Sequence, residues 1–342
     1  MPLLLNPNRT PAQWAARKIG TGVHLVDARN VLKIALINNM PDTALEDTEL
    51  QFFELLESSS GTIPVEIELY SLPGLQRGER AQSHLDRFYS STDDLGDRKF
   101  DGAIITGTEP RQPDLRDEPY WPSLGRVFDW AERNTASTVL SCLAAHAGVL
   151  YSDGIERQPL SDKKFGVFGY ARANDHPLLS GIADVVRFPH SRWNEVRAEA
   201  LTSCGYKILT ESQDEGVDIF VKRKRASLFV HFQGHPEYGA STLLKEYRRD
   251  IKRFLRKERP TYPSMPCGYF DAESMQVMAE FRERVSGDPL EEHMESFPDA
   301  ILMGKVEKTW QTSAAGIYHN WLRYTAAKKT ERTSLATLAQ AG

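Results

Sequence analysis

The stretch Ser137-Thr-Val-Leu-Ser-Cys-Leu-Ala-Ala-His-Ala-Gly-Val149 changes character midway. A β-branched, apolar approach runs to Leu140, and an alanine-rich run follows, so a strand turns straight into a helix. Cys142 then stands at the strand's carboxyl end and at the helix N-terminus, where the helix dipole favours a thiolate. The competing reading is core filling, because free cysteine is among the most buried residue types.

Working outward, Val31-Leu-Lys-Ile-Ala-Leu-Ile37 is a strand, and residues 46–56 carry a helical pattern. Residues 65–72 alternate as a second strand. Phe100-Asp-Gly-Ala-Ile-Ile-Thr-Gly107 is a third, leading into an acidic, proline-broken loop over 108–119. Residues 120–134 set Trp121, Leu124, Phe128 and Ala131 on one helical face. Four strands alternating with helices predict an α/β fold with a parallel, doubly wound sheet and a site at the strands' carboxyl edge. The second half is richer in β-structure, with short strands expected at 164–170, 206–210, 217–222 and 227–232, and then a helix over 240–256. Residues 257–300, rich in proline and charge, read as a long loop or insertion. Residues 313–326 form a last helix, and the polar tail from Lys328 is expected to be disordered.

The bulk properties bound the function. The 342 residues, 40% hydrophobic and 26% charged, suit a globular protein with an ample core. A net charge of −5 gives no case for nucleic acid or a membrane surface as partner. The run Lys222-Arg-Lys-Arg225 is a short solvated hairpin turn. Cys142, Cys204 and Cys267 are odd in number and scattered, with neither a disulfide framework nor metal-ligand spacing, so no metal is expected and a reducing cytoplasm is. The N-terminus reads as neither signal peptide nor anchor, and no segment approaches eighteen apolar residues.

A second informative stretch is Phe229-Val-His-Phe-Gln-Gly-His-Pro-Glu-Tyr238. The strand ends at Gly234, and the proline after His235 presents His235 and Glu237 two residues apart. A thiol nucleophile needs a base, and the base needs a group that fixes its tautomer. His235 and Glu237 supply both. A lone histidine near a turn would be structural; the spaced pair together with Cys142 favours catalysis.

These two stretches together resemble the homoserine O-acyltransferases of methionine biosynthesis, which are built on a class I glutamine-amidotransferase-like, flavodoxin-like fold. The resemblance covers most of 31–256 and the Asn320-Trp-Leu322 element of the last helix. Asn39-Met-Pro41, Thr106-Gly107, Tyr120-Trp-Pro122, Gly166-Val167, Pro189-His-Ser-Arg192 and Arg249-Asp250 fall in family order. On this basis residues 1–30 are an N-terminal arm and 31–256 the catalytic domain. Residues 257–327 are an insertion with a helix packed on that domain, and 328–342 the tail.

The resemblance implies that Cys142 takes the acyl group from an acyl-CoA co-substrate as a thioester, that His235 is the general base and that Glu237 orients it. No bound cofactor is implied. Lys163, Ser191, Arg192, Glu246 and Arg249 are implied to contact the amino-acid substrate. A guanidinium such as Arg249 suits an α-carboxylate, and Glu246 an α-ammonium; the plain alternative is an exposed helical ion pair worth tenths of a kcal/mol. The backbone N–H of Leu143 is a natural oxyanion donor. A homodimer is the default for an enzyme of this size.

Three departures from the family stand out. No lysine follows Met40-Pro41, where the family carries lysines. Leu143 and His146 replace a tryptophan and a glutamine. Arg111 occupies the place in the loop where glycine goes with succinyl and glutamate with acetyl transfer. An inward Arg111 would suit the carboxylate of succinyl-CoA, which is the donor preferred here over acetyl-CoA. Serine or another amino alcohol as acceptor, a glutamine amidotransferase and a non-catalytic binding protein are the alternatives. The elbow lacks the Gly-x-Cys-x-Gly typical of amidotransferases.

Overall fold

The computed structural model describes residues 3–5 and 31–341, so most of the expected N-terminal arm lies outside the described residues. Leu3–Leu5 (β1) pairs in parallel with Val65–Ser71 (β3), which pairs in parallel with Leu32–Ile37 (β2). Ser90–Ser91 (β4) adds a short edge to β3. Gly102–Ile105 (β5), Ser137–Ser141 (β6) and Ser227–Phe232 (β13) continue the parallel sheet. Counted along the chain, the order β3-β2-β5-β6-β13 is 2-1-3-4-5, the flavodoxin-like winding, with the switch point between β2 and β5. Ile219–Lys224 (β12) and then Lys207–Ile208 (β9) close that side antiparallel.

The central strands β5, β6 and β13 are buried at every position because both faces are covered. Leu45–Ser60 (α1) buries Phe52, Phe53 and Leu56 on one face. Trp121–Asn134 (α3) and Leu143–Asp153 (α4) cover the other, around Phe128, Ala144 and Ala147. Glu79–Phe88 (α2) and Ala198–Ser203 (α5) sit at the margins.

A second, antiparallel sheet carries the β-rich half in the order Gly216–Val217 (β11), Thr210–Ser212 (β10), Gln158–Arg172 (β7), Val185–Glu195 (β8). The sequence reading placed no strand at β8. Its partner β7 is twice the length expected. The lysines of the 222–225 run are not a free turn. Lys222 and Lys224 lie in β12 and bind Asp153 at 2.6 and 3.1 Å, and only Arg225, at φ 48°, and Ala226 form the turn.

Two further expectations fail. Residues 257–300 are not a structureless insertion. Ala272–Ser286 (α7) is capped by Asp271, whose side chain accepts from Ser274 N–H, and buries Met278, Phe281 and Val285; Asp299–Met303 (α8) follows a short 3-10 turn. The tail beyond Lys328 is not disordered, since Gln311–Ala341 (α9) continues through it. Lys329 and Arg332 bind Asp101 at 3.0 and 3.1 Å, anchoring the helix beside β5. The Asn320-Trp-Leu element packs this helix down. Asn320 donates to the carbonyls of Leu178 and Ser180, and Trp321 donates to Ser137 Oγ at 2.9 Å over a Gly102 too close for any Cβ.

Candidate active site

Cys142 occupies the turn between β6 and α4 with φ 50° and ψ −110°, a region that side chains other than glycine rarely adopt. Neighbouring bonds hold it there: its N–H donates to Phe232 O at 2.8 Å, and its carbonyl accepts from Ala145 and His146. Cys142 is half-buried rather than core filling. The loop after β5 lies directly on the first turn of α4. A Cβ at Gly107 would stand 2.5 Å from Leu143 Cβ, so only glycine allows this approach. The N–H of Leu143, the first residue of α4, is among those a helix leaves without an intrahelical partner.

Thr242–Leu255 (α6) follows the loop that leaves β13, and in that loop His235 Nδ1 is 2.8 Å from Glu237 Oε1. With Nδ1–H donated to the carboxylate, Nε2 is the nitrogen left for the thiol. Ser141 Oγ donates to the same carboxylate oxygen at 3.2 Å, tying Glu237 and His235 to the strand that ends at Cys142. Burial works against charge on His235, but the neighbouring Cys142 and Glu237 outweigh it and hold the imidazole well above its ordinary range. Tyr238 stacks on the ring at 4.1 Å, and Trp310 Nε1 donates to Tyr238 O at 3.0 Å. The segment leading into α9 thus buttresses the loop that carries His235 and Glu237.

Beside this triad lies a zwitterionic cluster. Lys163 Nζ is 3.0 Å from Asp250 and 3.7 Å from Glu246. Arg249 reaches the same two carboxylates at 3.1 and 3.7 Å. Ser191 Oγ donates to Glu246, whose other oxygen accepts from Tyr238 OH at 2.7 Å. Tyr238 therefore joins the base to the cluster. Arg249 is the open member, with its side chain 46% exposed against 9–15% for Lys163, Glu246 and Asp250. Burial disfavours the Asp250 anion, but Lys163 and Arg249 overcome that and hold its carboxyl below the usual range. Two cations interleaved with two anions are suited to a ligand carrying both an ammonium and a carboxylate.

The structure brings Cys142, His235 and Glu237 together, and likewise Lys163, Ser191, Glu246 and Arg249. It separates two others. Arg192 neighbours Ser191 on β8 and so points to the opposite face. There it is buried, with Nε on His190 Nδ1 at 3.2 Å and Nη1 on Asn194 O at 2.7 Å. Arg111 is exposed and turns outward, its guanidinium on Gln76 and its backbone N–H on Glu118. Of the two orientations open to Arg111, the slightly preferred inward one is corrected to the outward one, in which the position says nothing about the acyl group. His146 is also occupied: it is 2.9 Å from Gln233 Oε1, which accepts because the glutamine's amide nitrogen donates to Val217 and Val196 carbonyls. Burial, aided by Arg192, pushes His146 down to about 3, so it is a neutral packing residue. Where the lysine after Met40-Pro41 is missing, the buried Arg77 donates to Met40 O at 2.6 Å and pairs with Asp42. Asp250 had no expected role, although Arg249-Asp250 was a visible pair; Tyr238 gave no signal beyond adjacency to Glu237. Among the described residues no His, Cys, Asp and Glu group is arranged to hold a metal, and no helix is long and apolar enough to cross a membrane.

A sequence model of a family described as homoserine O-succinyltransferase matches residues 25–332. Similar proteins include the homoserine O-succinyltransferases of Rhodopseudomonas palustris, 43% identical over 86% of this chain and 88% of the relative, and of Methylorubrum extorquens, 42% over 89% of each. That of Bradyrhizobium japonicum is 46% identical over 75% of this chain and 80% of its own. Among solved structures, a glutamine amidotransferase from Thermotoga maritima aligns with 86% of this chain and 98% of its own, at 11% identity and a TM-score of 0.41.

Proposed function

The chain belongs to the homoserine O-succinyltransferase family, a family of acyltransferases, and from that premise we propose that it moves a succinyl group from succinyl-CoA to the hydroxyl of L-homoserine, in methionine biosynthesis, through a thioester on Cys142. The observation that carries this reading is the linked pair of sites: a Cys142–His235–Glu237 set joined through Tyr238 to the cluster around Glu246.

His235 Nε2 holds the proton taken from Cys142, and in the first half-reaction the thiolate Sγ attacks the thioester carbonyl of the donor. The N–H of Leu143, on the first turn of α4, meets the oxyanion. Collapse expels the CoA thiolate, which takes the proton from His235 and leaves an acyl-cysteine. In the second half-reaction His235 accepts the proton of the homoserine hydroxyl as its oxygen attacks the acyl carbonyl. Collapse releases the O-acyl amino acid and restores the thiolate, with the proton on His235. Arg249 and Lys163 receive the α-carboxylate, while Glu246 and Asp250 receive the α-ammonium. Because CoA leaves before the acceptor attacks the acyl-cysteine, the kinetics are ping-pong. A narrow apolar slot lined by Gly107, Leu143, Ala144, Tyr120 and Trp121 lies beside the elbow. With all three cysteines unpaired, we place the reaction in a reducing cytoplasm.

The test is release of CoA thiol by the pure protein with L-homoserine, comparing succinyl-CoA with acetyl-CoA and using Cys142→Ala as control. Release that needs both Cys142 and the acceptor, faster with succinyl-CoA, is the expected result. Faster release with acetyl-CoA would reassign the donor, and release only with serine would reassign the acceptor.

A further inference from the structure

Behind the catalytic loop lies a set of buried polar side chains that the acyl-transfer steps do not use. Asp218, between β11 and β12, is fully buried, and its Oδ1 accepts the N–H of Gly234 at 2.8 Å. Gly234 immediately precedes His235, whose own N–H donates to Pro189 O on β8 at 2.8 Å. The catalytic histidine is therefore strung between Asp218 on one side and β8 on the other. The fit is close. A Cβ at Gly234 would lie 2.8 Å from His190 Nε2 and 3.0 Å from Pro189 O.

The protonation pattern points the same way. Arg192 Nε donates to His190 Nδ1, which leaves the ring proton on Nε2, and that nitrogen stands 3.6 Å from Asp218 Oδ1. Burial holds His190 well below its ordinary value, so it is neutral. Asp218 Oδ2, His190 Nε2, Arg192 Nη2 and the Tyr170 hydroxyl are all buried without a further hydrogen-bond partner. Charged and titratable groups face Asp218 from three elements: Lys164 and Tyr170 on β7, His190 and Arg192 on β8, and His235 on the loop after β13. Burial pushes the Asp218 carboxyl up to about 6, against the pull of the Gly234 N–H and of Arg192, so near neutral pH it carries negative charge. A buried anion is costly unless it is paired and hydrogen-bonded, and here the Gly234 N–H and Arg192 supply that support.

We propose that Asp218 is a positioning residue for His235: its carboxylate fixes the Gly234–His235 turn and sets a negative charge behind the imidazole, which sustains the Cys142 thiolate. This rests on the reading of His235 as the base for Cys142. Asp218 touches neither substrate nor thiol; it acts through the histidine.

The test uses Asp218→Asn, which keeps an oxygen for the Gly234 N–H but removes the charge. Alkylation of Cys142 by iodoacetamide is followed against pH by mass spectrometry of the Cys142 peptide, with CoA release measured in parallel. The half-maximal point should move to higher pH by roughly half a unit or more. The kcat should fall about tenfold while KM for the acyl donor stays within about twofold. A folded variant whose alkylation profile does not move overturns the proposal, whether or not kcat falls, because loss of packing alone would leave the thiol's profile in place. Should Asp218→Asn fail to fold, Asp218→Ser, smaller and uncharged, is read in the same way. If the unmodified protein releases no CoA from any donor, the acyl-transfer reading fails, yet the alkylation profiles still decide the role of Asp218.

Discussion

At the scale of single residues, function depends on which face of an element a side chain takes. Cys142, His235 and Glu237 were legible because each sits where a strand ends, and strand ends are marked by changes of period and by the glycine and proline of the 234–236 turn. The charged cluster around Glu246 was legible less evenly. Ser191 and Arg192 are adjacent, and only strand parity, which residue types do not reveal, sends one to Glu246 and the other to His190. Arg111 was undecidable from sequence because an exposed loop sets no period. Two predictions belong here. Glu237→Gln removes the anion that orients His235, and kcat should fall about 100-fold while thermal stability changes little, checked by steady-state rates and calorimetry. Arg249→Ala should raise KM for the amino-acid acceptor about 10- to 100-fold and leave the first half-reaction intact, as read by CoA burst size without acceptor.

At the scale of elements, the buried parallel strands announced themselves as short apolar runs with β-branched residues, and β13 was bounded to the residue. Strand β8 did not. It carries Pro189 and turns Arg187 and Trp193 outward, so its alternation is masked by residues that signal loop. Helix α7 was equally hidden, since its inward stripe is only Ser274, Met278, Phe281 and Val285 between charged neighbours. The end of α9 needed a partner distant in sequence: Asp101 reads as a turn residue until Lys329 and Arg332 are seen to reach it. Asp101→Asn should therefore raise hydrogen exchange in the segment around Lys329 and cost about 1–2 kcal/mol of stability in urea, with kcat unchanged. At the elbow, Gly107→Ala would push a methyl group into Leu143 and displace the first turn of α4, and kcat should fall about tenfold or more with the fold retained in circular dichroism.

At the scale of the whole molecule, pH acts through buried histidines. Burial drives His146 and His231 down to about 3 and His190 well below its ordinary 6.5. Each is neutral when folded and binds a proton when unfolded below about 6.5, so the stability they allow is present above that pH and is lost as pH falls from 6.5 toward 3. Asp218 opposes this between its ordinary 3.8 and about 6, where the folded state binds the proton instead. His176, which burial lowers to about 4, adds a fourth, and four histidines against one aspartate leave a net uptake of about three protons on unfolding near pH 5. Urea unfolding at a series of pH values between 7 and 4.5 should show stability falling with that slope, and a flat profile would show that these side chains are not held neutral. The same burial strengthens the site, because in a water-poor interior Cys142 and Glu237 together hold the charge of His235 against desolvation.

The most direct test of acyl transfer through the cysteine is to mix the protein with succinyl-CoA alone, quench in acid and map the digest by mass spectrometry. The prediction is a succinyl group on the Cys142 peptide that disappears when L-homoserine is added and never forms in Cys142→Ala. Turnover by the unmodified protein with no label on Cys142, before or after the acceptor arrives, would mean that the acyl group passes directly from CoA to the hydroxyl, and would contradict the cysteine's role as nucleophile.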